Sequence, residues 1–241
     1  MILECDIGNT RCKWRVVDGD QVVERGSFAL ADGFENLVLT SQPKRVRVAS
    51  VVEGDNLAGF TRFCAERGFS PELAHSTAES AGVVSAYNEA AKLGVDRWLG
   101  AVAGYKRIQG AVLVIDAGTA LKADLVSAAG QHLGGYIAPG IALMESSLLA
   151  GTDKVRFDRQ DYTAGVAFGC ATADAVNAGM LAAQVGAVAV AIEEAKRRIP
   201  EGFAILLTGG DSVSIYKALG EAHEIEIVPE LVLDGLQWLL P

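Results

Sequence analysis

Two apolar strands in this chain run into the same kind of turn. Residues 1–5 lead into Asp6-Ile7-Gly8-Asn9-Thr10, and residues 111–115 lead into Asp116-Ala117-Gly118-Thr119-Ala120. A strand that is apolar up to its last residue is buried, so it delivers the carboxylate at its end to the edge of a sheet. Glycine then lets the backbone approach an anion with no Cβ in the way, and the polar residue that follows donates a hydrogen bond. Each turn alone reads equally as an ordinary hairpin turn, because aspartate bonds its own turn and glycine supplies positive φ. The recurrence is what constrains the fold. Each turn is followed by a return strand (12–17 and 121–126), a second turn (18–20 and 128–131) and a third strand (21–26 and 132–137). A meander that repeats with the same D-x-G-[NT] turn marks a duplicated domain. It predicts two α/β domains, residues 1–111 and 112–241, joined by a tight hinge, since no Pro-, Gly- or Ser-rich linker separates them.

Around the meanders the pattern predicts helices at 32–40 and 57–68 with a strand at 45–51 between them. The change from antiparallel strands to crossover connections implies mixed sheets. Residues 85–109 predict a helix interrupted at Leu93-Gly94-Val95-Asp96. In the second half, the rigid turn 134–140 leads to a helix at 141–149, followed by a long alanine-rich helix at 171–194. A buried strand at 203–207 ends in Thr208-Gly209-Gly210-Asp211, and a short strand at 224–228 precedes a last helix at 231–239.

Of the 241 residues, 50% are apolar and 21% charged, which excludes a chain too polar to bury a core. The net charge of −9, with no basic run beyond Lys44-Arg45-Val46-Arg47 and Lys196-Arg197-Arg198, argues against a nucleic-acid partner. The N-terminus has no basic leader, so no signal peptide is expected. The most apolar stretch, 182–192, reads as too short and too alanine-rich to span about 30 Å of hydrocarbon. Cys5, Cys12, Cys64 and Cys170 form no CxxC pair, and His75, His132 and His223 lie far from them, so neither zinc nor a disulfide framework is expected. Reduced thiols suit a cytoplasmic protein, with Cys5 and Cys12 on adjacent strands of one hairpin.

The matched turns, with Thr208-Gly209-Gly210-Asp211 as a third loop, point to ATP with a divalent cation, because carboxylates at a phosphate site require a cation between them. A second constellation is Leu93-Gly94-Val95-Asp96-Arg97-Trp98. An Asp-Arg pair on a surface is worth little, but here a glycine precedes it and a tryptophan anchors the next position. A carboxylate held in place beside a γ-phosphate can orient an attacking alcohol, while the neighbouring guanidinium binds an anionic substrate. Together these describe a small-molecule kinase.

The motifs also resemble, in order and over nearly the whole chain, those of the type III pantothenate kinases, a family of the acetate and sugar kinase, heat-shock protein and actin superfamily. The residues that carry the resemblance are Asp6-x-Gly8-Asn9-Thr10, then Tyr87 ahead of Leu93-Gly94-x-Asp96-Arg97-Trp98, then Asp116-x-Gly118-Thr119-Ala120. His132-Leu133-Gly134-Gly135-Tyr136-Ile137-x-Pro139-Gly140 and Thr208-Gly209-Gly210-Asp211 complete the set. The resemblance implies two duplicated actin-like (ribonuclease H-like) domains with ATP in the cleft between them, and transfer of phosphate to pantothenate as the first step of coenzyme A synthesis. Asp6, Ile7, Gly8, Asn9, Thr10, Arg11, Cys12 and Lys13 would form the first phosphate loop, and Thr119 would contact ATP from the second. Asp96 would accept the proton of the pantothenate hydroxyl. Tyr87, Gly94, Val95, Asp96, Arg97 and Thr172 would shape the pantothenate pocket. Asp116 would ligate a monovalent cation, potassium or ammonium, with magnesium accompanying the nucleotide. The resemblance further implies a homodimer in which Thr172 acts on the partner's site. Lys122 departs from the family pattern, where many relatives carry a small hydroxyl residue. Two other readings are a kinase of the same fold for another small hydroxy acid, and a regulatory homologue without catalysis; the presence of both Asp96 and Asp116 argues against the latter.

Overall fold

The computed structural model describes residues 1–157, 165–220 and 223–241. The chain divides into two units: Met1–Lys106 with Glu230–Pro241, and Arg107–Pro229.

The first unit is built on a five-stranded sheet in the order β3-β2-β1-β4-β5. Strands β1 (Ile2–Ile7), β2 (Arg11–Asp18) and β3 (Gln21–Ala29) form the expected antiparallel meander, and β4 (Arg45–Ser50) and β5 (Pro71–Leu73) add in parallel. The parallel pair is joined by α1 (Gly54–Glu66). One face of the sheet carries Leu3, Cys5, Ile7, Cys12, Trp14, Val16, Val46 and Val48, which pack with Phe60, Phe63 and Cys64 of α1. Cys5 and Cys12 do lie on the two strands of one hairpin. Burial, and then the neighbouring Cys12, push the Cys5 thiol well above its ordinary range.

The other face carries charge. Glu4 faces Arg15 across β1/β2 and Arg47 across β1/β4. Arg15 reaches Glu4 at 2.8 Å, Asp234 at 2.7 Å and Glu230 at 3.2 Å. Burial alone would lower the Arg15 pKa, but Glu4 and then Asp234 outweigh it and hold the guanidinium above its ordinary value. These bonds, with the apolar contacts of Val232, Leu233 and Leu236 against Ala49, Ala74, Val95 and Leu99, seat α6 (Leu231–Leu239) on this sheet. The last helix, which the sequence reading places in the second domain, therefore belongs to the first unit. The fit is close: a Cβ at Gly235 would stand 2.6 Å from the Leu99 carbonyl oxygen.

One expected helix of this unit is absent and another is confined to its second part. In place of a helix at 32–40 are two single 3₁₀ turns, Leu30–Asp32 and Phe34–Asn36, separated by Gly33 at φ 84°. The Phe34 ring is fixed edge-on against Phe28 and Phe60, at centroid distances of 5.8 and 5.3 Å. Residues 85–94 hold a 3₁₀ turn at Ala90–Lys92, and α2 (Val95–Ile108) begins only after Gly94. A small hairpin, β6 (Glu79–Ser80) and β7 (Val83–Val84), turns at Ala81 and Gly82, both with positive φ; sequence periodicity gave no sign of it.

The second unit repeats the plan, with sheet order β10-β9-β8-β11-β12. Here β8 (Val112–Ala117), β9 (Ala120–Val126) and β10 (His132–Pro139) form the meander, and β11 (Ala204–Thr208) and β12 (Ile225–Ile227) add in parallel around α5 (Ser212–Leu219). The segment expected as a rigid turn at 134–140 is the continuation of β10, bulged between His132 and Gly135 with Gly134 at φ 98°. Between β10 and β11 lie α3 (Ile141–Gly151) and α4 (Thr172–Arg198). At 27 residues α4 is longer than the sequence reading allowed and is, by length and composition alone, apolar enough to cross a membrane. It is nonetheless a core helix: Leu181, Val188, Ala191, Ile192 and Ala195 pack against Leu113, Ile115, Leu121 and Leu125 of the sheet.

Candidate active site

In the first unit the D-x-G-N-T turn joins β1 to β2. The Gly8 amide donates to the Arg11 carbonyl at 3.0 Å, which closes the hairpin tightly and leaves Asn9, Thr10 and Arg11 exposed at its tip. Strand alternation sorts the eight residues of the expected loop. Ile7 and Cys12 point into the apolar core, 0% exposed, so they have only backbone groups to offer a ligand. Asp6 and Lys13 lie directly opposite one another on the other face, both partly exposed. Arg11 is tied to Ser27 at 3.0 Å.

The same unit assembles the second constellation. Gly94 precedes α2, and its carbonyl accepts the first helical bond from Trp98 at 3.0 Å. Trp98 is completely buried. Asp96 is therefore in the first turn of α2, where unpaired backbone N–H groups and the helix dipole favour a negative charge. Its Oδ1 accepts the Arg97 amide at 2.9 Å, and a Cβ on Gly94 would stand 2.8 Å from that same oxygen. Glycine here leaves room for the carboxylate in this position, which a larger residue would push aside. Arg97 is 6% exposed, and its Nη1 donates to the Tyr87 hydroxyl at 2.9 Å. Tyr87, Asp96 and Arg97, separated by up to ten positions in sequence, thus form one cluster, with Val95 buried behind it.

In the second unit three turns converge. The Gly118-Thr119 turn follows β8, and Thr119 is exposed at its tip. The Gly140 amide donates to the Thr119 carbonyl at 3.0 Å, and a Cβ at Gly140 would sit 2.1 Å from the Gly118 oxygen. Gly209, at φ 94°, packs its α-carbon so near β8 that a Cβ would lie 2.2 Å from the Ala117 oxygen, which itself accepts the Asp211 amide at 3.0 Å. Burial raises the Asp211 carboxyl above its ordinary range. Two glycines without room for a side chain, Gly140 and Gly209, build with the Gly118-Thr119 turn a backbone-lined edge beside Asp116, the surface an anionic phosphate chain requires. Sequence reading singled out the glycines of 134–140 as a loop able to approach a substrate closely, but not the packing of Gly140 on the Gly118-Thr119 turn. Its signal, a Pro-Gly at the end of a strand, reads equally as a plain connection. Thr172 is the first residue of α4 and is exposed.

Asp116 is not open to solvent on all sides. Lys122 faces it across β8/β9, and its Nζ lies 2.7 Å from Asp116 Oδ2.

Known proteins resemble this chain in sequence and in fold. Residues 2–194 match the family model described as type III pantothenate kinase. A type III pantothenate kinase of Ectopseudomonas mendocina is 40% identical over 251 aligned positions, covering 100% of this chain and 99% of the relative. Among solved structures, a Campylobacter jejuni protein described as a Baf family transcriptional activator superposes with a TM-score of 0.59 at 22% identity, over 98% of this chain and 95% of that one. A Sinorhizobium meliloti protein described as a 2-dehydro-3-deoxygalactonokinase gives 0.52 at 15% identity, over 98% and 97%. The structural likenesses show a shared two-sheet α/β fold. The sequence match goes further: the chain belongs to the type III pantothenate kinase family.

Proposed function

We infer that the protein transfers the γ-phosphoryl group of ATP to the primary hydroxyl of pantothenate, giving 4'-phosphopantothenate, the first step of coenzyme A synthesis. Family membership supplies the reaction, and the observation that carries it to particular residues is the Tyr87–Arg97–Asp96 cluster. Asp96, partly exposed in the first turn of a helix, orients the substrate hydroxyl and accepts its proton late in the transfer. The transition state of phosphoryl transfer is loose, so orientation and charge neutralisation supply most of the acceleration. Arg97 is a nearly buried cation whose direction Tyr87 fixes, and it is suited to receive the pantothenate carboxylate with Gly94 and Val95 shaping the wall. In the second unit the turns at Thr119, Gly140 and Gly209 offer the nucleotide phosphates backbone amides and glycine-sized clearances, and in the first unit the 6–13 hairpin offers an exposed turn of the same kind.

Magnesium bound with ATP would supply charge neutralisation at the transferred phosphoryl group. Among the described residues no three His, Cys, Asp or Glu side chains gather into a metal site. Magnesium would be held mainly by nucleotide phosphates and water, with Asp6 as the carboxylate to meet it. The alternative, a regulatory role of the kind named for the Campylobacter jejuni protein, has no use for a catalytic carboxylate at a helix N-terminus. A coupled assay of ADP release decides: ADP formation should depend on pantothenate, and ATP hydrolysis indifferent to pantothenate would overturn the assignment. Action on this substrate suits a cytoplasmic enzyme.

The finer reading is a homodimer. The side of α4 away from its own core exposes Ala175, Gly179, Ala182, Ala183, Gly186 and Val190, small enough for close helix approach. Leu143, Val166 and Phe168 of the same unit are also exposed apolar groups. A two-fold axis along α4 would cover that side of the helix and bring Thr172 to the partner's substrate site. Mixing inactive Asp96→Asn chains with inactive Thr172→Arg chains should then restore about a quarter of wild-type activity, since half of randomly paired dimers would carry one intact site of two. No recovery after proven subunit exchange would rule out the shared site.

A further inference from the structure

The family resemblance puts a free monovalent cation on Asp116, and the residues around that carboxylate do not suit one. Asp116 and Lys122 are direct cross-strand partners on β8 and β9. Both side chains leave the sheet on the face opposite the core formed by Leu113, Ile115, Leu121 and Ala123. Lys122 Nζ stands 2.7 Å from Asp116 Oδ2, and the two side chains are only 16% and 20% exposed. A second monovalent cation at that carboxylate would sit beside a fixed ammonium, in a partly desolvated place where like charges repel strongly. The duplication makes the lysine's position systematic, because Lys13 occupies the equivalent register opposite Asp6 in the first sheet.

We propose that the Lys122 ammonium is a built-in monovalent cation, held by Asp116 at the nucleotide loop, so that ATP binding and turnover need no added potassium. The proposal rests on the kinase reading given above. An alkylammonium carries the same single charge as potassium and stands at a similar distance from oxygen. A free ion occupies its site by mass action and leaves it when the medium is depleted, whereas a tethered one is always present. A lysine side chain can do this because its charge is a compact point on a four-carbon stem, with three donors to share between a carboxylate and a phosphate oxygen.

The test uses the full chain in choline, sodium and potassium chloride at one ionic strength, with pantothenate turnover and ATP affinity by calorimetry as separate readouts. For the wild type both quantities should agree across the three salts to within about twofold. Lys122→Thr should lose about tenfold or more in ATP affinity and kcat/KM in choline, and regain most of it in potassium or ammonium chloride. A wild type whose ATP affinity or turnover rises about tenfold when potassium replaces choline would overturn the proposal. So would a folded Lys122→Thr that matches the wild type in choline. Should that variant fail to fold by thermal melting, the wild-type salt series alone decides. Salt-independent ATP binding without pantothenate turnover in any salt would leave the tethered cation standing and overturn the kinase reading instead.

Discussion

Replacing Asp96 by asparagine is expected to lower turnover about 10²-fold or more while leaving ATP affinity close to that of the wild type. The substitution is nearly isosteric, and its side-chain oxygen can still accept the Arg97 amide that Asp96 Oδ1 accepts at 2.9 Å. The start of α2 and the clearance at Gly94 are therefore retained. What is lost is the negative charge that receives the substrate proton as the bond to phosphorus forms. Losing a charge from a helix N-terminus costs about 0.3–1 kcal/mol of stability, too little to account for a hundredfold fall through unfolding. Steady-state kinetics paired with calorimetry of ATP binding separate the two effects. A variant within about tenfold of wild-type turnover would remove Asp96 from the role of proton acceptor.

Much of this site was legible because the signal was local. The D-x-G turns, the strands that lead into them and the repeated meander are set by residues adjacent in sequence, and β1, β2, β8 and β9 follow that pattern. The last helix, Leu231–Leu239, was also read to the residue, since its apolar positions recur with helical spacing. Its placement was not readable. That depends on Glu230 and Asp234 meeting Arg15, more than two hundred positions away, and no periodicity encodes such a pairing. The absent helix at 32–40 failed for a tertiary reason as well: Gly33 takes a left-handed φ so that Phe34 can lodge against Phe60. Lys122 stood out in the sequence as a departure, but only register brings it onto Asp116. The pairing of strands β8 and β9 converts a difference of six positions into a 2.7 Å contact.

Glu4 is where a single neutralisation should cost the most stability. Its carboxylate is 2% exposed and bridges two guanidiniums, Arg15 at 2.8 Å and Arg47 at 3.1 Å, whose side chains are 8% and 9% exposed. At that depth water screens little, so the usual discount for surface ion pairs does not apply. In Glu4→Gln, Arg15 keeps Asp234 and Glu230, but the Arg47 guanidinium loses the carboxylate it meets at 3.1 Å and keeps only the longer-range pull of Glu72, which is hydrogen-bonded to Arg45, while its Nε has no hydrogen-bond partner among the described residues. A buried charge stripped of its counter-charge costs about 3–5 kcal/mol, a large share of the roughly 5–15 kcal/mol that holds a typical domain folded. The urea midpoint of the variant should fall accordingly with little change in slope. Removing both charges together tests the cause. Glu4→Leu combined with Arg47→Met leaves no stranded cation and fills the space with apolar atoms, so it should recover most of the loss despite being the larger change. If the double variant is as unstable as Glu4→Gln, the penalty comes from disturbed packing under α6 and not from an uncompensated charge.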